Sequence, residues 1–91
     1  MSKIVIDYSP KFIRERKKFV KKNRERFETY GKTVKLFIQN PYHPGLNLEK
    51  LEKSLYWSIR LNESDRIFFI WTSSISVLFV DIGEHDKYKK Y

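Results

Sequence analysis

The spacing of apolar residues changes at Pro41, and this change limits the possible folds more than any other feature of the chain. Before it, one apolar stripe has helical spacing: Phe27, Tyr30, Val34, Phe37 and Ile38. In residues 56–82 the apolar residues instead alternate or form short runs, as is typical of strands. Pro41 cannot continue a helix, because it has no backbone N–H. Helices followed by strands predict an α+β fold.

The N-terminal third predicts one strand and a helical hairpin. Residues 3–8 alternate between apolar and polar positions, which predicts the strand. Ser9 is a typical N-cap and Pro10 favours the first helical position, so we expect a helix to begin there. Asn23 interrupts the helical pattern, and the interruption predicts two helices joined as a hairpin.

The last third predicts a meander of three strands. Their ranges are Tyr56–Leu61, Arg66–Trp71 and Ile75–Ile82. Residues 62–65 have the composition of a turn, and Gly83 is expected to end the last strand. The chain is then a single domain, residues 1–91. It has a four-stranded, mostly antiparallel sheet with the N-terminal helical hairpin packed on one face, in the order β-α-α-β-β-β.

The second face of this sheet is expected to remain partly open. Successive side chains of a strand point to opposite faces. If the face that carries Trp57 and Ile59 is the core, then Tyr56, Ser58 and Arg60 lie on the open face.

The charge of the chain indicates a polyanionic partner. Lys and Arg number 19 against 11 Asp and Glu, which gives a formal net charge of +8 on 91 residues. Such a field favours binding to nucleic acid, a ribosome, an anionic membrane or an acidic protein. The alternative is that the excess charge only keeps a small protein in solution.

Several classes of protein are excluded by composition. The absence of Cys excludes disulfide scaffolds, Cys-type zinc sites, thiol nucleophiles and iron–sulfur clusters. The longest run without charge, Ile67 to Val80, has fourteen residues, whereas a membrane span needs about 20. We therefore expect a soluble, cytoplasmic protein that does not enter membranes.

Two arginines beside one turn point to phosphate chemistry. Arg60 and Arg66 flank the turn at 62–65, so they should lie close together on paired strands. Two guanidinium groups can bind a phosphate and stabilise the charge that develops on it. The alternative is that each arginine forms an ion pair with Glu63 or Asp65.

Four other residues are candidates for a functional site. His85 follows the last strand and can exchange a proton near neutral pH, although an isolated tail histidine is commonly a solvated surface residue. Tyr88 and Tyr91 could stack on RNA bases or pack back on the sheet. Glu49 could be a carboxylate base or a plain surface charge. The spacing of His43 and His85 does not match a zinc helix, so no metal site is predicted.

Five short motifs, in order along the chain, carry a resemblance to a known family. They are Ser9-Pro10-Lys11-Phe12, Asn40-Pro41-Tyr42-His43-Pro44 before Leu48-Glu49-Lys50-Leu51, Tyr56-Trp57-Ser58-Ile59-Arg60-Leu61, Arg66-Ile67-Phe68-Phe69, and Val80-Asp81-Ile82-Gly83-Glu84-His85-Asp86. With them the chain resembles the RelE/YoeB/YafQ superfamily of bacterial toxins from type II toxin–antitoxin pairs.

This resemblance implies a partner and a reaction. The partner is a cognate antitoxin protein, held in a heteromeric complex. The reaction is metal-free cleavage of messenger RNA at the ribosome, in which the 2′-hydroxyl attacks the adjacent phosphate; no cofactor is needed. The implied catalytic residues are Glu49, Arg60, Arg66, His85 and Tyr91. The residues expected to bind RNA are Lys50, Ser58, Lys87, Tyr88 and Lys89, with either Tyr88 or Tyr91 as the C-terminal aromatic of the family.

Two alternatives to an RNA endonuclease remain open within the same resemblance. A ParE-like toxin would bind and block DNA gyrase without cutting RNA. A binding module of the same fold would have no activity at all.

Overall fold

The computed structural model describes residues 3–91 as a mixed sheet with two helices. The elements are β1 (Val5–Tyr8), α1 (Pro10–Val20), α2 (Arg24–Gln39), a 3₁₀ turn (Pro44–Leu46), β2 (Glu49–Lys50), β3 (Trp57–Arg60), β4 (Asp65–Trp71), β5 (Ser76–Glu84) and a C-terminal 3₁₀ turn (His85–Lys90). Residues 85–91 are called the C-terminal segment below. No helix among the described residues is long and apolar enough to cross a membrane.

The predicted helical hairpin is confirmed, with both N-caps in place. The Ser9 hydroxyl accepts a hydrogen bond from the backbone N–H of Phe12 at 3.0 Å, and Pro10 occupies the first position of α1. The side chain of Asn23 accepts from the backbone N–H of Arg26 at 3.0 Å and begins α2. Each cap provides an acceptor for a donor that the helix itself leaves unpaired.

The sheet has five strands rather than the four predicted, in the order β1-β5-β4-β3-β2. The additional strand is β2, in which Glu49 pairs with Ser58 and Lys50 with Trp57. Two residues are too short to show an alternating pattern, so β2 is defined by its partner and not by its own sequence. The β1–β5 pair is parallel and the other pairs are antiparallel, as expected for a mostly antiparallel sheet.

Strand β5 differs from the prediction in two ways. It does not end at Gly83 but continues to Glu84. Gly83 has a φ of +146° and nevertheless pairs with Arg66 on β4. The register of β5 shifts between Phe68 and Phe69, whose partners are Asp81 and Phe79, so that Val80 is an extra residue. Such a bulge reverses the alternation of faces beyond it.

The helices cover one face of the sheet and form an aromatic core. Phe37 packs edge-on against Phe69 with a centroid distance of 5.2 Å, and Phe12 lies 5.2 Å from Phe79. All four rings are fully buried. Phe27, although part of the predicted stripe, is 63% exposed, since the buried residues of α2 lie in its second half.

The second face of the sheet is more covered than predicted. Ile59 is fully buried in the core, as expected, but Ser58 on the opposite face is only 2% exposed. The C-terminal segment lies over this face, and the ring of Tyr91 stacks on Phe68 at 5.4 Å and contacts Tyr56 at 4.6 Å. Of the two alternatives for Tyr91, packing back on the sheet is the one that the structure shows.

Candidate functional site

A cleft of about 470 Å³ lies between β2 and the C-terminal segment. It is lined by Glu49, Lys50, Leu51, Glu52, Tyr88, Lys89 and Tyr91. Five of these residues were predicted site residues, from two parts of the chain far apart in sequence. The cleft forms because β2 adds an edge strand on the side of the sheet where the C-terminal segment folds back.

The arginine pair stands on the same sheet face as Glu49. Arg60 and Arg66 are direct partners across the β3–β4 ladder, as their positions beside the turn predicted. Ser58 is the cross-strand partner of Glu49 and lies two residues before Arg60, so these side chains share one face. Arg60 is exposed, whereas Ser58 is buried between its neighbours.

Arg66 is an unusual group for a small domain. It pairs with Arg60 on the face that was expected to be open, but its side chain is only 7% exposed, and its Nη1 atom is buried without a hydrogen-bond partner. Burial lowers the pKa of Arg66, the nearby charge of Arg60 lowers it further, and Glu49 opposes both effects. The guanidinium nevertheless stays protonated. A buried donor with no acceptor next to a second cation favours the binding of an anion.

The alternative pairing of the two arginines with turn acids is not what the structure shows. Within residues 3–91, neither Arg60 nor Arg66 forms an ion pair. Asp65 instead accepts a hydrogen bond from the side-chain amide of Asn62 at 2.9 Å. Neither guanidinium is therefore neutralised by an acid of the turn, and Arg60 is exposed whereas Arg66 is largely buried.

His85 lies beside the cleft and does not line it. Its backbone N–H donates to the carbonyl of Ser64 at 2.7 Å, which fixes the start of the C-terminal segment. Its exposed imidazole ring is 5.1 Å from the ring of Tyr88 and borders a small depression of about 210 Å³ with Glu84 and Asp86. His85 therefore contacts one of the residues that line the cleft, Tyr88, but is not itself part of the lining.

Tyr91 is held by its hydroxyl group. The hydroxyl donates to Oδ2 of Asp81 at 2.7 Å and accepts from Nζ of Lys11 at 2.7 Å. Burial raises the pKa of Tyr91, and Asp81 adds to this effect against the opposing influence of Lys11. The phenol is thus neutral, and its hydroxyl group is hydrogen-bonded to both Lys11 and Asp81. The aromatic ring of Tyr91 packs beside the cleft.

Lys87, a predicted RNA-binding residue, is directed to the other side of the C-terminal segment. Its ammonium group donates to Oε1 of Glu15 at 2.9 Å, to Oδ1 of Asp81 at 3.0 Å and to the carbonyl of Ile82 at 3.1 Å. Burial alone would lower the pKa of Lys87, but the two carboxylates outweigh burial and raise it.

Sequence reasoning missed Asp81, which joins these contacts. It is fully buried, and burial would raise its pKa, but hydrogen bonds from Tyr91, Lys87 and the N–H of Ile82 hold the pKa below its usual value. One signal was present in the sequence: Asp81 is the only charged residue between Arg66 and Glu84. No group of three or more His, Asp or Glu suited to a metal ion occurs in residues 3–91.

Solved structures of bacterial toxins superimpose on this chain. A YoeB/ParE toxin from Agrobacterium tumefaciens superimposes with a TM-score of 0.70 at 15% identity, over 90% of this chain and 99% of that one. The YafQ chain of the DinJ–YafQ toxin–antitoxin complex from E. coli gives 0.73 at 16% identity, over 92% and 94%. The YoeB–YefM complex from Staphylococcus aureus gives 0.71 at 20% identity, over 92% and 99%.

These likenesses define the fold of the chain. No protein family model and no curated protein matches its sequence. The chain has the fold of YoeB- and YafQ-type toxins, which confirms at the level of fold the resemblance that its motifs indicated.

Proposed function

We propose that this chain is the toxin of a toxin–antitoxin pair and that it cleaves messenger RNA at the ribosome. The observation that carries the proposal is the buried, unpartnered Nη1 of Arg66 beside Arg60, on the sheet face that also carries Glu49. The toxin fold and the net charge of +8 support it independently.

The arginine pair is suited to the charge that develops during RNA cleavage. When a 2′-hydroxyl oxygen attacks the adjacent phosphorus, the phosphate gains negative charge before the bond to the 5′-oxygen breaks. Arg60 and Arg66 would lie beside these oxygens. Because Arg66 is already buried, it needs little further desolvation when a phosphate binds, and a preorganised donor at such a site contributes about 3–4 kcal/mol.

Two proton transfers complete the reaction. Glu49 carries an exposed carboxylate at the cleft and would take the proton of the attacking 2′-hydroxyl. His85 in its protonated form would give a proton to the departing 5′-oxygen. The products are a 2′,3′-cyclic phosphate and a free 5′-hydroxyl, with no metal ion in either step.

The cleft also offers groups for the RNA strand. Tyr88 is 43% exposed and can stack on a base, while Lys50 and Lys89 are exposed beside it for the backbone phosphates. Ser58 is buried and Lys87 is paired with two carboxylates. In this proposal neither side chain contacts RNA, and both stabilise the residues around the cleft.

An antitoxin is the proposed protein partner. Solved complexes of the same fold pair YafQ with DinJ and YoeB with YefM. The strong positive charge of this chain favours an acidic partner that covers the cleft. We therefore expect a heteromeric complex with the product of a neighbouring reading frame.

Primer extension on cellular messages after induction of the chain tests this function. We expect new message ends within minutes in cells that express the unaltered chain. His85→Ala and Glu49→Gln should each reduce cleavage about 10²–10⁴-fold. Glu63→Gln removes one exposed acid from the nearby turn and should cut normally.

Two outcomes would overturn the nuclease. Growth arrest with intact messages in both the unaltered chain and the His85→Ala variant would favour the ParE-like alternative, which a gyrase supercoiling assay would then examine. Absence of both arrest and cleavage would leave an inactive binding module of the same fold.

A further inference from the structure

One network of charges joins three parts of the fold behind the cleft. Asp81 on β5 is its centre, Lys11 and Glu15 come from α1, and Lys87 and Tyr91 come from the C-terminal segment. Each carboxylate has an ammonium partner, and the Tyr91 hydroxyl lies between Lys11 and Asp81. The charges of these five residues cancel, and Lys18 adds a second ammonium partner to Glu15 at 3.4 Å.

Lys87 has the most complete set of contacts in this network. Its ammonium group has three protons, and three acceptors lie within 3.1 Å: Oε1 of Glu15, Oδ1 of Asp81 and the carbonyl oxygen of Ile82. The aliphatic part of its side chain crosses directly over Gly83. A Cβ atom at Gly83 would approach Cε of Lys87 to 2.8 Å, so a larger residue at position 83 would displace the end of the Lys87 side chain.

The remaining attachment of the C-terminal segment is less extensive. It consists of the hydrogen bond from the backbone N–H of His85 to Ser64 and the packing of the Tyr91 ring on Phe68 and Tyr56. No residue of the C-terminal turn is fully buried. The charge network is thus the principal polar link between this segment and the rest of the fold.

We infer that Lys87 is a positioning residue, which ties the C-terminal segment to Asp81 and Glu15 so that Tyr88 and Tyr91 form one wall of the cleft. It acts from behind the wall and does not contact RNA. The role of the cleft in RNA cleavage rests on the proposed function, whereas the tie itself rests only on the contacts of Lys87.

Hydrogen exchange measured by mass spectrometry on the full chain tests the tie without reference to activity. Lys87→Met keeps most of the aliphatic length and removes the ammonium group. Because a hydrogen bond to a charged group is lost, amides of residues 85–91 should exchange about 10- to 100-fold faster, with no change in β3 and β4. Glu15→Gln changes no residue of the C-terminal segment. It should give a smaller increase in the exchange rate of the amides of residues 85–91.

The matched control is Lys90→Met. Lys90 lies on the same turn, is exposed and makes no ion pair among the described residues, so its loss changes the net charge equally. Amide hydrogen exchange in the Lys90→Met variant should match that of the unaltered chain. Lys87→Arg retains the charge and should restore most of the protection. Circular dichroism spectra of each variant are the check that the variant is folded.

Cleavage in the same variants gives the functional result. Lys87→Met should reduce message cleavage about 10-fold or more, and Lys87→Arg and Lys90→Met should not. Unchanged exchange in Lys87→Met would overturn the tie, and faster exchange with full cleavage would overturn its importance for the cleft. If the unaltered chain cuts no RNA, the proposed function fails, while the exchange data still decide whether Lys87 holds the segment.

Discussion

Replacing Arg66 by Met should make the protein more stable and remove its activity. Arg66 carries a buried Nη1 atom without a partner, and it stands opposite the like charge of Arg60. Met preserves much of the apolar stem and removes both the unsatisfied donor and the repulsion. Glu49 loses an attractive neighbour, but its exposure makes that loss small.

The size of the effect follows from these contacts. A buried polar group without a partner costs about 1–3 kcal/mol, and apolar replacement of a buried charge is often stabilising. We expect the free energy of unfolding to rise by about 1–2 kcal/mol. In a domain of this size that corresponds to roughly 5–10 °C in the melting temperature.

Urea and thermal unfolding followed by tryptophan fluorescence provide the assay, with Arg60→Met as the comparison. Arg60 is exposed, so its replacement should change stability by less than about 0.5 kcal/mol. Primer extension on the same variants should show cleavage lost in Arg66→Met. A decrease of more than about 1 kcal/mol in the stability of Arg66→Met would refute the reasoning, because it would mean that the buried guanidinium stabilises the free protein.

Two further predictions concern solution conditions. Because the pKa of Asp81 is lowered in the folded state, its contribution to stability is complete well above pH 3.8, the ordinary value, and is lost as the pH falls through the lower folded-state pKa. Acid unfolding should therefore be less steep in Asp81→Asn, and identical pH profiles would contradict this. Affinity for ribosomes or RNA should fall steeply between low and physiological salt, since bound lysines and arginines release counterions; a flat dependence would indicate an apolar protein interface.

Local signals predicted the helices and most of the strands. Ser9 and Asn23 mark helix starts through their own side chains, and the change of period at Pro41 separates helices from strands. Strand β2 has no such signal, because two residues show no alternation and only their pairing with β3 makes them a strand. The parallel partner of β1 was equally hidden, since alternation predicts a strand but not its neighbour.

The site could be predicted only in part for a related reason. Arg60 and Arg66 flank a turn, so their proximity follows from the sequence. Asp81 would share the core face with Phe79 in a regular strand, and the extra Val80 turns it to the other face. The coverage by Tyr91 depends on contacts with residues far away along the chain, and a short polar tail contains no periodic pattern that predicts them.

The parallel pairing of β1 with β5 has a consequence for how the chain folds. Ser9 and Val80, whose side chain and carbonyl meet at the end of this pairing, are 71 residues apart. Closing so long a loop costs chain entropy before any contact offsets it, and such non-local pairings fold slowly. The β3–β4–β5 meander has short connections and can form early as a nucleus. We therefore expect β1 to dock late, because its partner β5 is the last strand of the sheet to emerge during synthesis.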